Sequence, residues 1–81
     1  MLDTIQTVEF QGITYNAFHG SPFDRGSADS YYGRTQDPHK YPNGTGNAPR
    51  VEGPDMTLGE IIEYYKGYDY NEELGERKQY G

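Results

Sequence analysis

The sequence contains no cysteine, and it is short of aliphatic side chains. Without cysteine the chain has no disulfide bond, no Cys-ligated zinc, no iron–sulfur cluster and no thiol catalysis. Leu, Ile, Val and Phe number only 12 of the 81 residues, a composition at which disorder becomes a prospect. Nine tyrosines offset this shortage, because each carries a large apolar ring with one polar tip. We therefore expect a single small domain with a thin aromatic core and marginal stability.

Long apolar runs are also missing. No segment approaches the roughly 20 apolar residues that a membrane helix needs, and the N-terminus has no signal-peptide core. These features predict a protein of the cytoplasm, with no membrane partner. The net charge of -6 is uneven, because residues 51–81 carry -5 whereas residues 19–50 carry +1. An acidic chain is repelled by bulk nucleic acid and favours a basic protein surface, and only the middle third is suited to a phosphate.

The residue pattern predicts an α+β fold with two packed helices. We expect a hairpin or extended arm over 1–18, a helix over 21–33, a connector over 34–56, a second helix over 57–74 and a flexible tail over 75–81. In the first segment Val8, Phe10, Ile13 and Tyr15 alternate with polar residues around the turn signal Gln11-Gly12. A two-stranded ribbon is unstable alone, so one face must pack on the rest of the domain.

The first helix has a clear start signal. Ser21 is a capping residue, Pro22 suits the first helical position, and Asp24 stands three residues after Ser21 as in a capping box. We expect the helix to end near Tyr32, before Gly33. Its small residues, Gly26 above all, favour close approach of another backbone. The alternative is a weak helix that merely tolerates Gly26, which costs about 1 kcal/mol relative to Ala.

The connector holds four of the five prolines. A loop of more than about 15 residues inside a small domain is unusual, and such loops are either functional or flexible. The composition leaves both interpretations open.

The second helix shows the strongest periodicity. Thr57 and Glu60 form a capping box, and either Gly67 or Leu74 marks the end of the helix. The apolar stripe at helical spacing predicts the buried face. With two aromatic residues of the first helix it gives the expected core, which is Phe23, Tyr31, Leu58, Ile61, Ile62, Tyr65 and Tyr68.

Catalytic chemistry has few candidate residues. His19 and His39 are the only histidines, and with Asp24 and Asp37 they match no recognised metal-ligand spacing. Ser21 is better explained as a helix cap than as a nucleophile. We therefore expect a non-catalytic protein without a cofactor or a metal.

Binding is better supported, because the middle segment interleaves basic residues with tyrosines. This mixture stacks bases and pairs phosphates in single-stranded RNA binders, and it also dominates protein–protein hot spots. The overall acidity favours a protein partner, and RNA is the alternative. The candidate partner-binding residues are Arg25, Tyr31, Tyr32, Arg34, Lys40, Tyr41, Glu60, Glu63, Tyr64 and Asp69.

Two short motifs carry a family resemblance over residues 22–72. Arg25-Gly26 and Gly33-Arg34 are separated by six residues and followed by a proline-containing loop, and the second helix contains Tyr64-Tyr65-Lys66-Gly67-Tyr68. This pattern resembles the ribosome modulation factor family, with tyrosines where tryptophans are usual. The resemblance implies helices packed through Gly26 and Gly67, a connector lying across them, and a role in ribosome hibernation through contact with ribosomal RNA and protein. The chain departs from that family in its acidity, its hairpin and its longer connector.

The segment 23–34 is also similar to small open reading frames common in phage genomes, whose products often bind one host machine. The resulting hypothesis is a non-catalytic, phage-type accessory protein in the cytoplasm of a bacterial host. It would bind a host protein or a ribonucleoprotein complex and modulate or inhibit it. The alternative hypothesis is a ribosome- or RNA-binding factor of the ribosome modulation type.

Overall fold

The chain forms two helices and two small antiparallel ribbons, as a computed structural model shows for residues 7–78. The predicted α+β class, with an N-terminal hairpin and two packed helices, is confirmed. Residues 1–6 of the predicted hairpin or arm and residues 79–81 of the predicted tail lie outside the described residues. The elements in chain order are β1 (Thr7–Phe10), β2 (Ile13–Asn16), α1 (Pro22–Tyr31), β3 (His39–Lys40), β4 (Val51–Glu52), a 3-10 turn (Gly53–Asp55) and α2 (Leu58–Leu74).

The N-terminal hairpin packs its apolar face on both helices. Val8 lies opposite Tyr15 and Phe10 opposite Ile13, so the four alternating side chains share one face. Both turn residues have positive φ, which is the geometry of a tight two-residue hairpin turn. Tyr15 stacks on Phe23 of α1 with the ring centroids 5.0 Å apart. This aromatic cluster is the main apolar core, as the shortage of aliphatic residues predicts.

Helix α1 begins at the predicted cap. The Ser21 hydroxyl accepts a hydrogen bond from the Asp24 N–H at 3.3 Å. The Asp24 carboxylate accepts in turn from the Gly20 N–H at 3.0 Å, one residue earlier than a standard capping box requires. The helix ends at Tyr31, and Gly33 follows with a φ of 73°. The helix predicted over 21–33 is therefore one residue shorter at its start and two residues shorter at its end.

The two helices cross at one glycine from each. A Cβ built on Gly26 would lie 1.9 Å from the Tyr64 carbonyl oxygen, and one built on Gly67 would lie 2.0 Å from the Phe23 carbonyl oxygen. Backbone thus meets backbone at the crossing, and no other residue type fits either position. The close-approach interpretation of Gly26 is confirmed.

Helix α2 begins at the Thr57–Glu60 capping box and continues past Gly67 to Leu74. The predicted core stripe along it is wrong. Leu58, Ile62 and Tyr65 are 74%, 47% and 39% exposed, whereas Tyr64 is fully buried. Of the other predicted core residues, Phe23 is buried, and Tyr31, Ile61 and Tyr68 are half-buried.

The glycine crossing explains why the inward face of α2 is not the apolar one. Helices that touch through their backbones leave no room between them for aliphatic side chains, so the inward positions near Gly67 are Tyr64 and Asn71. Asn71 donates to the Ser30 hydroxyl at 2.9 Å, and that hydroxyl donates to Glu72 at 2.7 Å. The helix interface is therefore glycine-rich and polar, and the apolar stripe faces outward.

The connector packs across the helices through a second ribbon. His39 pairs with Glu52 and Lys40 with Val51 in β3 and β4. The Tyr41 N–H donates to the Gly20 carbonyl at 2.8 Å, and the Asp37 N–H donates to the Tyr64 hydroxyl at 2.9 Å. The first part of the predicted tail is also tied down, because the Lys78 N–H donates to the Tyr31 carbonyl at 2.7 Å.

An ion pair between Lys40 and Glu60 joins the connector to the start of α2. The hydrogen bond from Lys40, with that from the Thr57 N–H, lowers the pKa of Glu60 below its ordinary value of 4.5. A carboxylate with a lowered pKa in the folded state stabilises the fold above pH 4.5, and this contribution is lost as the pH falls through the lower value.

Glu60→Gln should therefore destabilise the protein at pH 7 and have progressively less effect below pH 4.5. Urea unfolding of both proteins between pH 7 and pH 3 measures this difference. A constant difference in unfolding free energy across the series would contradict the assigned role of the Glu60 charge.

Candidate functional site

A polar cavity of about 500 Å³ opens between α1 and the connector. We call it the arginine cavity, because three of its lining side chains are arginines. They come from three parts of the chain, namely α1, the segment after it, and the segment before β4. The lining residues are Arg25, Asp29, Arg34, Thr35, Asp37, His39, Tyr41 and Arg50.

The floor of the cavity is a buried carboxylate held by a tyrosine. The Tyr64 hydroxyl donates to one oxygen of Asp29 at 2.5 Å. Burial, and then the hydrogen bond to Asp29, raises the pKa of Tyr64 well above its usual range. The hydroxyl thus keeps its proton, donates to Asp29 and accepts from the Asp37 N–H. Tyr64 connects α2 to both α1 and the connector.

His39 and Arg25 form the inner wall. The Arg25 Nε donates to His39 Nε2 at 2.9 Å, and His39 Nδ1 lies 2.7 Å from the Asp37 carbonyl oxygen. Since arginine only donates, Nε2 must accept, so the proton is on Nδ1 and the ring is neutral. Both side chains are buried. Within residues 7–78 the terminal nitrogens of Arg25 have no hydrogen bond, and the nearer one lies 3.9 Å from Asp29.

The two outer arginines differ in how far they are engaged. Arg50 donates to Asp37 at 2.9 Å and to Glu52 at 2.7 Å, so its guanidinium is neutralised by the connector itself. Arg34 makes one long contact of 3.4 Å with Asp29, and its side chain is 57% exposed. Arg34 is therefore the arginine at the cavity mouth that is most available to a ligand.

A second feature lies on the opposite side of α2. Positions 58, 62, 65, 69 and 73 follow one line along the helix, and all five side chains are exposed. We call this line the outer face. Its first half is apolar, with Leu58, Ile62 and Tyr65, and its second half is acidic, with Asp69 and Glu73.

The structure divides the predicted basic and aromatic binding residues between cavity and surface. Arg25, Arg34 and Tyr41 meet in the arginine cavity. Tyr32 lies beside it, with the Arg34 guanidinium 4.9 Å from its ring centroid. Tyr31 packs edge-on against Tyr32 at 5.1 Å.

The remaining predicted binding residues have different environments. Lys40 and Glu60 pair with each other rather than forming separate charged surfaces. Burial raises the pKa of Glu63, and of the predicted acidic set only Asp69 lies on the outer face. The prediction that Tyr64 contacts a partner is wrong, because its side chain is fully buried at the centre of the fold.

Five cavity residues were not among the predicted binding set, namely Asp29, Thr35, Asp37, His39 and Arg50. Asp29 lies four residues after Arg25 and therefore on the same helix face, which is a signal the sequence does contain. The other four belong to the connector. Their positions in the cavity depend on the pairing of β3 with β4, and strands of two residues have no recognisable pattern in the sequence.

Within residues 7–78 no group of three acidic or histidine side chains is placed to hold a metal ion. No helix in the same part of the chain is long and apolar enough to cross a bilayer. Comparison with protein-family descriptions, curated proteins and solved structures finds no match for this chain.

Proposed function

We propose that this chain is a non-catalytic binding protein that docks on a basic protein through the outer face of α2. The observation that carries the proposal is the outward orientation of Leu58, Ile62 and Tyr65. A surface helix of a small domain normally turns its apolar stripe inward. Here the inward face is occupied by a glycine crossing and polar contacts, so the apolar stripe stays exposed, although the Tyr65 ring meets that of Tyr64 edge-on at 5.7 Å.

Exposing these side chains to water has a free-energy cost that a partner removes. Burying a leucine or isoleucine side chain gains roughly 1.5–3 kcal/mol. Contiguous exposed apolar residues rimmed by polar ones are typical of interaction sites, and tyrosine is enriched among binding hot spots. Leu58, Ile62 and Tyr65 supply such a centre.

The charge pattern defines the chemistry of the partner. Helix α2 carries five carboxylates and one lysine, and Asp69 and Glu73 continue the apolar line. A complementary surface has an apolar groove beside basic side chains, and opposite charges would accelerate association. A second copy of this chain would bring the same acidic line to the interface, so charge repulsion disfavours self-association.

Affinity capture from a nuclease-treated bacterial lysate tests the proposal with a matched pair of variants. The double variant Leu58→Ala with Ile62→Ala removes the two aliphatic side chains of the outer face. Ile13→Ala removes a comparably exposed isoleucine side chain (53%) at the hairpin tip. Circular dichroism verifies that all variants remain folded. We expect a captured basic protein to bind the wild type and Ile13→Ala, and to be lost from the double variant.

Once the captured partner is purified, its binding to this protein can be used to test the role of charge. Asp69→Lys with Glu73→Lys should slow association several-fold and flatten the salt dependence, while changing dissociation less. Equal capture by the wild type and the outer-face double variant would overturn the proposal, as would loss of every partner after nuclease treatment. If the molecular mass in solution rises with protein concentration, and the double variant Leu58→Ala with Ile62→Ala abolishes this rise, the outer face is a site of self-association instead.

The wider biological setting stays a prediction. Docking on a host protein by a phage-type accessory factor agrees with an acidic binding face. The alternative, a ribosome-binding role like that of the ribosome modulation factor family, predicts the opposite response to nuclease. The same capture experiment therefore separates the two.

A further inference from the structure

We propose that the arginine cavity binds the phosphate group of a small phosphate ester, independently of the outer face of α2. The proposal starts from Arg25, which is 9% exposed. Its Nε donates to His39, whereas among residues 7–78 its terminal nitrogens make no hydrogen bond and only one of them forms an ion pair, with Asp29 at 3.9 Å. A buried guanidinium with free donors that line a cavity is complementary to an oxyanion.

The charges around the cavity leave room for an anion. Arg25 and Arg34 face one carboxylate, that of Asp29, so this part of the lining carries one excess positive charge although the whole chain carries -6. Arg50 is paired with both Asp37 and Glu52, and the single charge of Asp29 is shared between Arg25 at 3.9 Å and Arg34 at 3.4 Å. The excess therefore resides on Arg25 and Arg34. Exposed carboxylates more than about 10 Å away are largely screened at 0.1 M salt.

The arrangement of the donors favours phosphate. Arg25 and Arg34 lie 3.9 and 3.4 Å from the same Asp29 oxygen, so their guanidinium groups are close together, and a tetrahedral phosphate offers oxygens to both. The cavity volume of about 500 Å³ exceeds that of the anion alone and admits an organic group attached to it. Two aromatic rings flank this space, since Tyr41 lines the cavity and Tyr32 lies beside it with the Arg34 guanidinium over its ring.

Titration of the folded protein with inorganic phosphate and with adenosine monophosphate, followed by backbone amide NMR, tests the assignment. We expect both compounds to shift the amides of Asp37, His39 and Tyr41. Adenosine, which lacks the phosphate, should shift none of them at the same concentration.

Two arginine variants localise the binding. Arg34→Gln removes a guanidinium at the cavity mouth and should weaken binding of both phosphate compounds about tenfold. Arg77→Gln is the matched control, since the Arg77 side chain is 44% exposed against 57% for Arg34, pairs with Glu72 and does not line the cavity. It should bind like the wild type.

Absence of amide shifts at millimolar phosphate and adenosine monophosphate would overturn the proposal. Equal weakening by Arg34→Gln and Arg77→Gln would also overturn it, because the anion would then respond only to net charge. These measurements involve no protein partner, so their outcome is distinct from that of the capture experiment on the outer face.

Discussion

Gly26→Ala should destabilise the protein by roughly 3 kcal/mol or more, at the upper end of the range for overpacked sites. In an ordinary helix interior the same substitution stabilises by about 1 kcal/mol. The sign is reversed here because the new Cβ would lie 1.9 Å from the Tyr64 carbonyl oxygen, which belongs to the backbone and cannot rotate away. The helices would have to separate, and the melting temperature should fall by more than about 10 °C.

Gly59→Ala is the matched control for this experiment. Gly59 lies in the first turn of α2, and a Cβ built there would meet only the Thr57 hydroxyl at 3.9 Å. Its replacement should leave stability unchanged or raise it by up to about 1 kcal/mol. Thermal and urea unfolding of both variants give the comparison. A Gly26→Ala protein as stable as Gly59→Ala would show that the helices do not touch at Gly26.

Local signals in the sequence are sufficient to predict where both helices begin. Ser21 and Pro22 begin α1, Thr57 and Glu60 begin α2, and each acts through backbone groups within a few residues. Such contacts are encoded by neighbouring positions, so they can be predicted without knowledge of the tertiary structure. The alternation in the hairpin is equally local.

The buried face of α2 was not predictable in the same way. Periodicity shows that a helix has an apolar side, but the side that packs depends on the partner helix. Gly26 and Gly67 draw the backbones together, and this contact decides that Tyr64 points inward while Leu58 and Ile62 point outward. The small residues of α1 were the sign that close packing would determine this orientation.

The arginine cavity could be anticipated only in part. The interleaved arginines and tyrosines indicated a binding segment, and Arg25, Arg34 and Tyr41 do meet. The positions of His39 and Arg50 depend on the pairing of β3 with β4, and that of Tyr64 on the crossing of the helices. Long-range contacts of this kind leave no periodic pattern in the sequence.

Asp29→Asn should cost about 3–5 kcal/mol, because it leaves a buried guanidinium without its carboxylate. Asp29 is almost fully buried, accepts from the Tyr64 hydroxyl and lies 3.9 Å from the terminal nitrogen of Arg25. Asparagine can still accept from Tyr64, but its amide group turns a donor toward other donors. Urea unfolding at pH 7 measures the loss.

The matched control is Asp37→Asn in the same cavity. The Asp37 side chain is 64% exposed and pairs with Arg50 at 2.9 Å, and exposed ion pairs contribute at most about 1 kcal/mol. The experiment thus compares the stability contributions of a buried ion pair, Asp29–Arg25, and an exposed one, Asp37–Arg50. Adding Arg25→Gln to Asp29→Asn removes the unpaired charge, so the double variant should lose less stability than the sum of the single variants. Strict additivity, or equal losses for Asp29→Asn and Asp37→Asn, would show that burial of the Arg25 charge is not what Asp29 compensates.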